Sequence, residues 1–203
     1  SGPLRARAVP AQSSGGSIGR GAEPPSGEQW EWLQGGITAV PGILAAGIHG
    51  GIKASGKKDL ALIHSAQSAT AAGLFTTNRV KGAPVQICQE HIKGGVGQAI
   101  VASSGNANTC TGEQGLRDAR EMTKIIGDLL RIPQRNVLIA STGIIGQPLP
   151  IEKIRNALPK LVKALSPQGG RSAAEAIMTT DTVPKEAALR VEIAGRSVTI
   201  GGI

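Results

Sequence analysis

Apolar residues recur at helical spacing in two long segments of this chain, and both segments are predicted to be amphipathic helices. The first covers about 113–130, with Thr111 as its predicted N-cap. The second covers 151–165 and also carries a single apolar face. Pro159 lies inside the second segment and is expected to kink the helix or restart it, since proline lacks the backbone N–H.

Short apolar runs bounded by turn residues predict the strands. These runs lie at about 59–64, 71–76, 84–88, 98–102, 187–193 and 196–200, and a shorter helical pattern covers 172–177. The first two runs are joined by a short polar link, so we expect them to pair in antiparallel fashion. Ala194-Gly195 predicts a hairpin turn between the last two runs. Strands mixed with helices in this order predict an α/β sandwich.

One predicted strand leads directly into hydroxyl side chains. Within NVLIASTGIIG (136–146), the apolar residues 137–139 read as a buried strand, and Ser141 and Thr142 then emerge in a turn beside Gly143. A hydroxyl next to a glycine amide at a strand end can hold a developing oxyanion, because glycine lets its N–H approach without a Cβ in the way. Ordinary turn chemistry explains the same three residues.

A second polar run, AIMTTDTVPKE (176–186), follows the short helical pattern. Thr179, Thr180 and Thr182 flank Asp181 there, and such a cluster of hydroxyls and a carboxylate can bind a ligand. The alternative is a polar loop whose side chains cap a helix or close an Asx turn.

Two further segments carry weaker signals. The glycine-rich run 35–56 invites comparison with phosphate loops, but it contains neither GxGxxG nor GxxxxGK[ST]. Asn106 and Asn108 lie between small residues in 103–115, where unusual turns can place amides toward a ligand. The alternative role of that segment is to cap the helix that follows.

Composition limits the classes of partner. The 203 residues include one Phe, two Trp and no Tyr, so the core must be aliphatic and aromatic platforms for nucleic-acid bases are nearly absent. The net charge of +8 is scattered along the chain. We therefore expect no nucleic-acid partner, and a basic surface can instead attract an acidic substrate or the phosphates of coenzyme A. Without an apolar run of about 18 residues, no membrane span is expected.

The possible metal ligands are dispersed. Cys88 and Cys110 do not form a CxxC pair, and His49, His64 and His91 lie far apart in the sequence. This pattern predicts no metal site and a reducing compartment, hence the cytoplasm.

The first 29 residues differ from the rest of the chain. They are rich in Ser, Gly, Pro and Arg and show no apolar periodicity, which predicts a flexible extension before a domain at 30–203. Arg-rich, Ser-rich sequence with few acidic residues is also typical of an organelle transit peptide, which leaves an organelle as the alternative location.

Six ordered motifs resemble one known family. They are GGITAVPGILAAGIHGGIKASGKKDLALI (35–63), AAGLFTTNRVKGAPV (71–85), SSGNANTCTGEQG (103–115), STGIIGQPLP (141–150), AIMTTDTVPKE (176–186) and the final GGI. Together they resemble the N-terminal half of the ornithine acetyltransferases, also called bifunctional glutamate N-acetyltransferases. The resemblance implies the layered αββα sandwich of the ornithine acetyltransferase and DmpA-like type, completed by a second (β) chain in an α2β2 assembly.

The resemblance also implies a reaction. Family precursors cut themselves before a threonine, which accepts acetyl from N-acetylornithine and passes it to glutamate in arginine biosynthesis. No cofactor is implied, although bifunctional members also use acetyl-CoA as acetyl donor. The family's oxyanion pair falls on Thr142 and Gly143, and its substrate-contacting threonine falls on Thr179 or Thr180, with Thr179 favoured.

The match has one departure. The family's substrate-binding lysine and nucleophilic threonine follow the GGI motif, so they fall beyond Ile203. The sequence is therefore interpreted as most of an α chain. The alternatives are an amidase or aminopeptidase of the same fold, an acetyltransferase of the clavulanate-pathway type, and a basic binding module without enzymatic activity.

Overall fold

The computed structural model describes residues 30–203, and the predicted extension at 1–29 lies outside the described residues. The strands are β1 (Trp30–Trp32), β2 (Ile43–Ile48), β3 (Leu60–Thr70), β4 (Val96–Asn106), β5 (Val137–Ile144), β6 (Ala187–Ile193) and β7 (Arg196–Gly202). The α-helices are α1 (Ala83–His91), α2 (Gly112–Leu130), α3 (Ile151–Lys163) and α4 (Gly170–Ile177), and short 3-10 helices lie at Gly36–Ala39, Ile92–Gly94 and Gln134–Asn136.

A four-stranded mixed sheet organises the chain, in the order β2-β3-β4-β5. β2, β3 and β4 pair in antiparallel fashion, whereas β4 and β5 are parallel. The parallel pair follows from the connection, because α2 carries the chain back across the sheet between these two strands. A smaller antiparallel sheet has the order β1-β6-β7.

The main core lies between one face of the four-stranded sheet and helices α1, α2 and α3. Its largest fully buried side chains are Leu60, Leu62, Ile87, Met122, Ile126, Ile154, Leu158, Leu161, Val101 and Val137. None of these side chains is aromatic, in agreement with the predicted aliphatic core. Burial of this many branched side chains provides the main stabilisation of the sheet-and-helix layers.

α4 packs closely on the opposite face of the sheet, against β2 and β3. The contact is made by small residues, including Ala45, Ala61, Ala173 and Ala176. A Cβ added at Gly47 would lie 1.8 Å from the carbonyl oxygen of Ser172, so a larger residue there would push α4 away. The small residues thus allow the backbones to meet.

The two long predicted helices are confirmed as α2 and α3, and the hairpin β6–β7 turns at Ala194-Gly195 as predicted. Pro159 does not restart α3, which runs as one helix from Ile151 to Lys163. The fully buried Leu158 and Leu161 hold the segment on either side of the proline against the core, and this burial outweighs one lost backbone hydrogen bond.

Two predicted strands are wrong. Residues 84–88 belong to α1, because Ala83, Ile87 and His91 recur at helical spacing and are buried. Residues 71–76 form no strand, and β3 pairs with β2 and β4 instead. β2 itself lies inside the glycine-rich run, where no strand was predicted. Short apolar runs do not distinguish strand from helix, since five or six residues are too few to define a period.

Candidate functional site

Thr142 and Gly143 lie in the last part of β5, at the edge of the four-stranded sheet. The predicted turn at 141–143 is wrong, since β5 continues to Ile144 in register with β4. Gly143 has a φ of +133°, and a Cβ there would lie 2.3 Å from the carbonyl carbon of Gly105. The register slips beside this pair, at Gly105 and Asn106. Only glycine fits such a close approach of two backbones.

The neighbouring hydroxyls point to opposite faces of the sheet. Ser103 donates a hydrogen bond to Ser141 at 2.8 Å on one face. Thr142 pairs in register with Ser104, so both of these side chains lie on the other face, the face on which α4 packs. Thr142 is exposed, and its hydroxyl makes no hydrogen bond to any residue in 30–203. It is free to donate to a ligand.

The 176–186 run begins beside this strand. The hydroxyl of Ser104 donates to the carbonyl oxygen of Ala176 at 2.5 Å, which fastens the end of α4 to the strand next to Thr142. Thr179 and Thr180 follow on the surface. The start of the 176–186 run is thus held on the sheet face that carries Thr142. Within residues 30–203, no side-chain hydrogen bond joins Thr142 to Thr179.

Asp181 in the same run is exposed and is held by Lys185. The hydrogen bond from the Lys185 ammonium lowers the pKa of Asp181. Within the described residues, the hydroxyls of Thr179, Thr180 and Thr182 form no side-chain hydrogen bond, and the run is an irregular loop.

A cavity of about 430 Å³ opens next to Thr179. Its ionisable lining residues are Lys53, Lys57, Lys58, Arg171, Glu175 and Asp181. Lys58 and Glu175 form an ion pair at 2.8 Å, and hydrogen bonding from Lys58 lowers the pKa of Glu175. The four cations exceed the two carboxylates, so the cavity favours an anionic group.

Sequence reasoning missed Lys53, which enters this cavity from the glycine-rich run. Its ammonium donates to the carbonyl oxygens of Lys58 at 2.9 Å and Met178 at 2.7 Å. Burial lowers the pKa of Lys53, while the charge of Asp59 opposes that shift. No sequence signal connects Lys53 to Met178, because the two residues are 125 positions apart.

The glycine-rich run binds an internal anion in place of a phosphate. The fully buried carboxylate of Asp59 accepts hydrogen bonds from the backbone N–H groups of Gly50 at 2.5 Å, Ile52 at 2.8 Å and Lys53 at 2.9 Å. These amides are therefore occupied, and the comparison with a phosphate loop is wrong for them. Asp59 instead gives the loop a fixed shape.

Asn106 and Asn108 are buried and face inward. Asn106 donates to the carbonyl oxygens of Gln147 and Pro148, both at 3.1 Å. Asn108 donates to the carbonyl oxygen of Gly115 at 2.9 Å and accepts a bond from the Thr111 hydroxyl at 2.7 Å. Thr111 is the N-cap residue of α2, as predicted, but its side chain makes no cap hydrogen bond. The two asparagines brace the loop after β4 and are not directed at a ligand.

A larger cavity of about 900 Å³ lies elsewhere, at the N-terminal ends of α1 and α2. It is lined by residues that include Arg79, Lys81 and Cys110, but by neither Thr142 nor Thr179. We place the candidate site at Thr142 because its exposed hydroxyl and the glycine beside it carry the predicted chemistry. Among residues 30–203, no group of three or more His, Cys, Asp or Glu side chains is arranged to hold a metal ion.

No helix in the described part of the chain is long and apolar enough to cross a membrane.

Fold and site together define a mixed α/β chain that presents a hydroxyl and a glycine at the exposed end of an edge strand, a donor arrangement suited to acyl-transfer chemistry. The model of the ArgJ family matches residues 44–203. The bifunctional arginine-biosynthesis proteins ArgJ of Symbiobacterium thermophilum and Thermosynechococcus vestitus are 52% and 50% identical to this chain, over 85% and 86% of its length. The chain belongs to the ArgJ family, and it covers 44% and 42% of these two proteins.

Solved structures agree with this assignment. The crystal structure of the bifunctional protein ArgJ from Bacillus halodurans superposes with a TM-score of 0.81 at 37% identity, covering 87% of this chain and 93% of that one. The ornithine acetyltransferase of Mycobacterium tuberculosis, solved in complex with ornithine, gives a TM-score of 0.79 at 36% identity, with 86% and 93% covered. The resemblance predicted from six motifs and the mixed α/β class are therefore confirmed.

Proposed function

We propose that this chain is the α chain of a bifunctional glutamate N-acetyltransferase that acts in arginine biosynthesis. The observation that carries the proposal is the exposed Thr142-Gly143 pair at the end of β5, on the sheet face to which the start of the 176–186 run is fastened. Thr142 contributes its hydroxyl and Gly143 its backbone N–H to the oxyanion, and Thr179, with Thr180 as the alternative, contacts the substrate.

The proposed reaction proceeds in two acyl transfers. The hydroxyl oxygen of a threonine on the β chain attacks the acetyl carbon of N-acetylornithine, and the amide C–N bond breaks as ornithine leaves with the proton. The amine of glutamate then attacks the acetyl ester, which releases the threonine hydroxyl. Both steps pass through an oxyanion that Thr142 and Gly143 stabilise. Acetyl-CoA is the proposed alternative donor, and no other cofactor is required.

The partner in this proposal is a β chain in an α2β2 assembly. α4 packs mainly on β2 and β3 of its sheet face, and on the same face Ile100 of β4 is 40% exposed and Ala140 of β5 is also exposed. An open apolar sheet face needs a covering layer. A β-chain sheet stacked there would form the second β layer of the αββα sandwich and bring its nucleophile to Thr142. We place the enzyme in the cytoplasm.

The test is an acetyl-transfer assay on the purified enzyme, combined with N-terminal sequencing of every polypeptide that copurifies with this chain. We expect glutamate-dependent release of ornithine from N-acetylornithine, and a second polypeptide that begins with threonine. Active material without such a polypeptide would refute the mechanism.

The same assay separates the alternatives. A hydrolase of this fold would release acetate at a rate that glutamate does not increase. An acetyltransferase of the clavulanate-pathway type would transfer acetyl from N-acetylornithine but not from acetyl-CoA. A basic binding module would show no transfer and would be retained on heparin at physiological salt.

A further inference from the structure

Lys53 connects two parts of the molecule that are distant in the sequence. Its backbone lies in the loop between β2 and β3, and its ammonium reaches the carbonyl oxygen of Met178, which is 2.7 Å away in the segment after α4. Met178 immediately precedes Thr179, the favoured substrate-contacting residue. The second acceptor of the ammonium is the carbonyl oxygen of Lys58, at 2.9 Å, within the lysine's own loop.

The base of this side chain is fixed. The backbone N–H of Lys53 donates to the fully buried carboxylate of Asp59 at 2.9 Å, and the same carboxylate holds the N–H groups of Gly50 and Ile52. Three charge-assisted hydrogen bonds to one buried group leave the loop little freedom. The position of the Lys53 Cα is thus determined by the loop itself and does not depend on Met178.

The aliphatic part of Lys53 lies against the strand pair that carries the oxyanion donors. A Cβ at Gly105 would approach the Lys53 Cγ to 3.1 Å, and Gly105 is the register partner of Gly143. The aliphatic part of the Lys53 side chain therefore contacts the strand beside Gly143, and its ammonium contacts the segment before Thr179. Lys53 thus joins the loop, the strand pair and the segment after α4.

We propose that Lys53 is a positioning residue that sets the distance between Thr179 and the Thr142-Gly143 pair by holding the Met178 carbonyl. It acts through the backbone of its neighbour. The proposal rests on the proposed acetyl-transfer function, because Thr179 and Thr142 have their roles in that reaction. Methionine at position 53 would keep the stem against Gly105 but remove the hydrogen bonds, whereas arginine would keep a donor within reach.

The experiment compares Lys53→Met, Lys53→Arg and the wild type in the assembled enzyme, with Lys160→Met as a matched control. Lys160 is an exposed lysine on α3, which packs on the opposite face of the sheet. We expect Lys53→Met to raise the KM for N-acetylornithine by about tenfold or more with a smaller change in kcat, because loss of alignment at a substrate contact weakens binding. Lys53→Arg should restore most of the loss, and Lys160→Met should match the wild type.

Circular dichroism and the thermal midpoint establish whether each variant is folded. If Lys53→Met does not fold, the comparison rests on Lys53→Arg, which must then keep its KM within about threefold of the wild type. A folded Lys53→Met enzyme with an unchanged KM would overturn the proposal, as would a folded Lys53→Arg enzyme that loses as much affinity as Lys53→Met. A wild-type enzyme that transfers no acetyl would instead refute the proposed function.

Discussion

At the scale of single residues, Thr142 has an exposed hydroxyl and lies beside Gly143. No other residue can replace this glycine. Its side chain makes no hydrogen bond within residues 30–203, so its removal has little to disturb in the fold. Gly143 is held against Gly105 by the strand pair. We therefore expect substitution of Thr142 to lower the rate of the reaction, and substitution of its neighbour Gly143 to lower the stability of the fold.

Thr142→Ala should lower kcat for acetyl transfer by about 100-fold, the typical loss when one oxyanion donor is removed. Self-cleavage should slow as well, since the proposed oxyanion forms at the same place. Steady-state kinetics and the fraction of uncleaved precursor measure both effects. Thr142→Ser, which keeps the hydroxyl, is the control and should retain most of the activity. Normal turnover in Thr142→Ala would remove this residue from the site.

Gly143→Ala should lower the free energy of unfolding by more than about 2 kcal/mol, because its Cβ would clash with the β4 backbone at a positive φ. Gly146→Ala is the matched control. Gly146 also has a positive φ, +79°, but a Cβ there meets nothing within 4 Å, so only about 1 kcal/mol of backbone strain is expected. Urea unfolding measures the free energy of unfolding of both variants. Equal losses of stability in the two would contradict the close approach of Gly143 to Gly105.

At the scale of elements, α1 protects the edge of β5. The thiol of Cys88 accepts a hydrogen bond from the N–H of Ile139 at 3.1 Å and donates to the carbonyl oxygen of the same residue at 3.0 Å. The His91 ring bonds to the carbonyl oxygen of Val137 at 2.8 Å. A helix that satisfies the free backbone groups of an edge strand prevents that edge from pairing with another chain. The strand that carries Thr142 is thereby anchored at its first half.

This arrangement predicts different reactivities for the two cysteines. Burial raises the pKa of the Cys88 thiol, the Ile139 backbone opposing that shift, so little reactive thiolate exists at pH 8. Cys110 is exposed. Alkylation by iodoacetamide, followed by peptide mass spectrometry, should label Cys110 at least about tenfold faster than Cys88 in the folded protein. Denaturant should remove the difference. Equal rates in the folded protein would show that α1 does not seal this edge.

The sequence predicted the long helices better than the short elements. α2 and α3 carry enough turns for an apolar stripe to define their period, whereas 84–88 is too short to distinguish a buried helix from a strand. The continuation of β5 through Ser141 and Thr142 was also missed. Polar residues predict a turn, but pairing with β4 satisfies their backbone groups and keeps them in the strand.

At the scale of the whole molecule, the open face of the four-stranded sheet is the surface on which the proposed β chain would pack. Ile100 and Leu129 are both 40% exposed, but Ile100 lies on that face and Leu129 lies on α2, against the other face. The proposed β chain should cover Ile100 and leave Leu129 in solvent. The pair thus provides a matched test of where the partner binds.

Ile100→Asp should weaken association with the β chain by at least about tenfold, because a carboxylate buried in an apolar interface has no partner. Leu129→Asp should leave association unchanged within about threefold. Sedimentation velocity and copurification of the two chains measure the effect. Similar losses in both variants, or none in Ile100→Asp, would place the partner on another surface.

The sequence by itself determined the family, the aliphatic core, the two long helices and the identity of Thr142, Gly143 and Thr179 as candidates. These depend on ordered motifs, on composition and on local periodicity, which are all present in the linear chain. Tertiary structure alone decided that Thr142 faces the α4 side of the sheet, that Asp59 occupies the amides of the glycine-rich run, and that Lys53 reaches Met178. The first and third depend on segments that are distant in the sequence, and the Asp59 contacts depend on how one loop folds. Strand register and packing set this geometry, which local sequence does not encode.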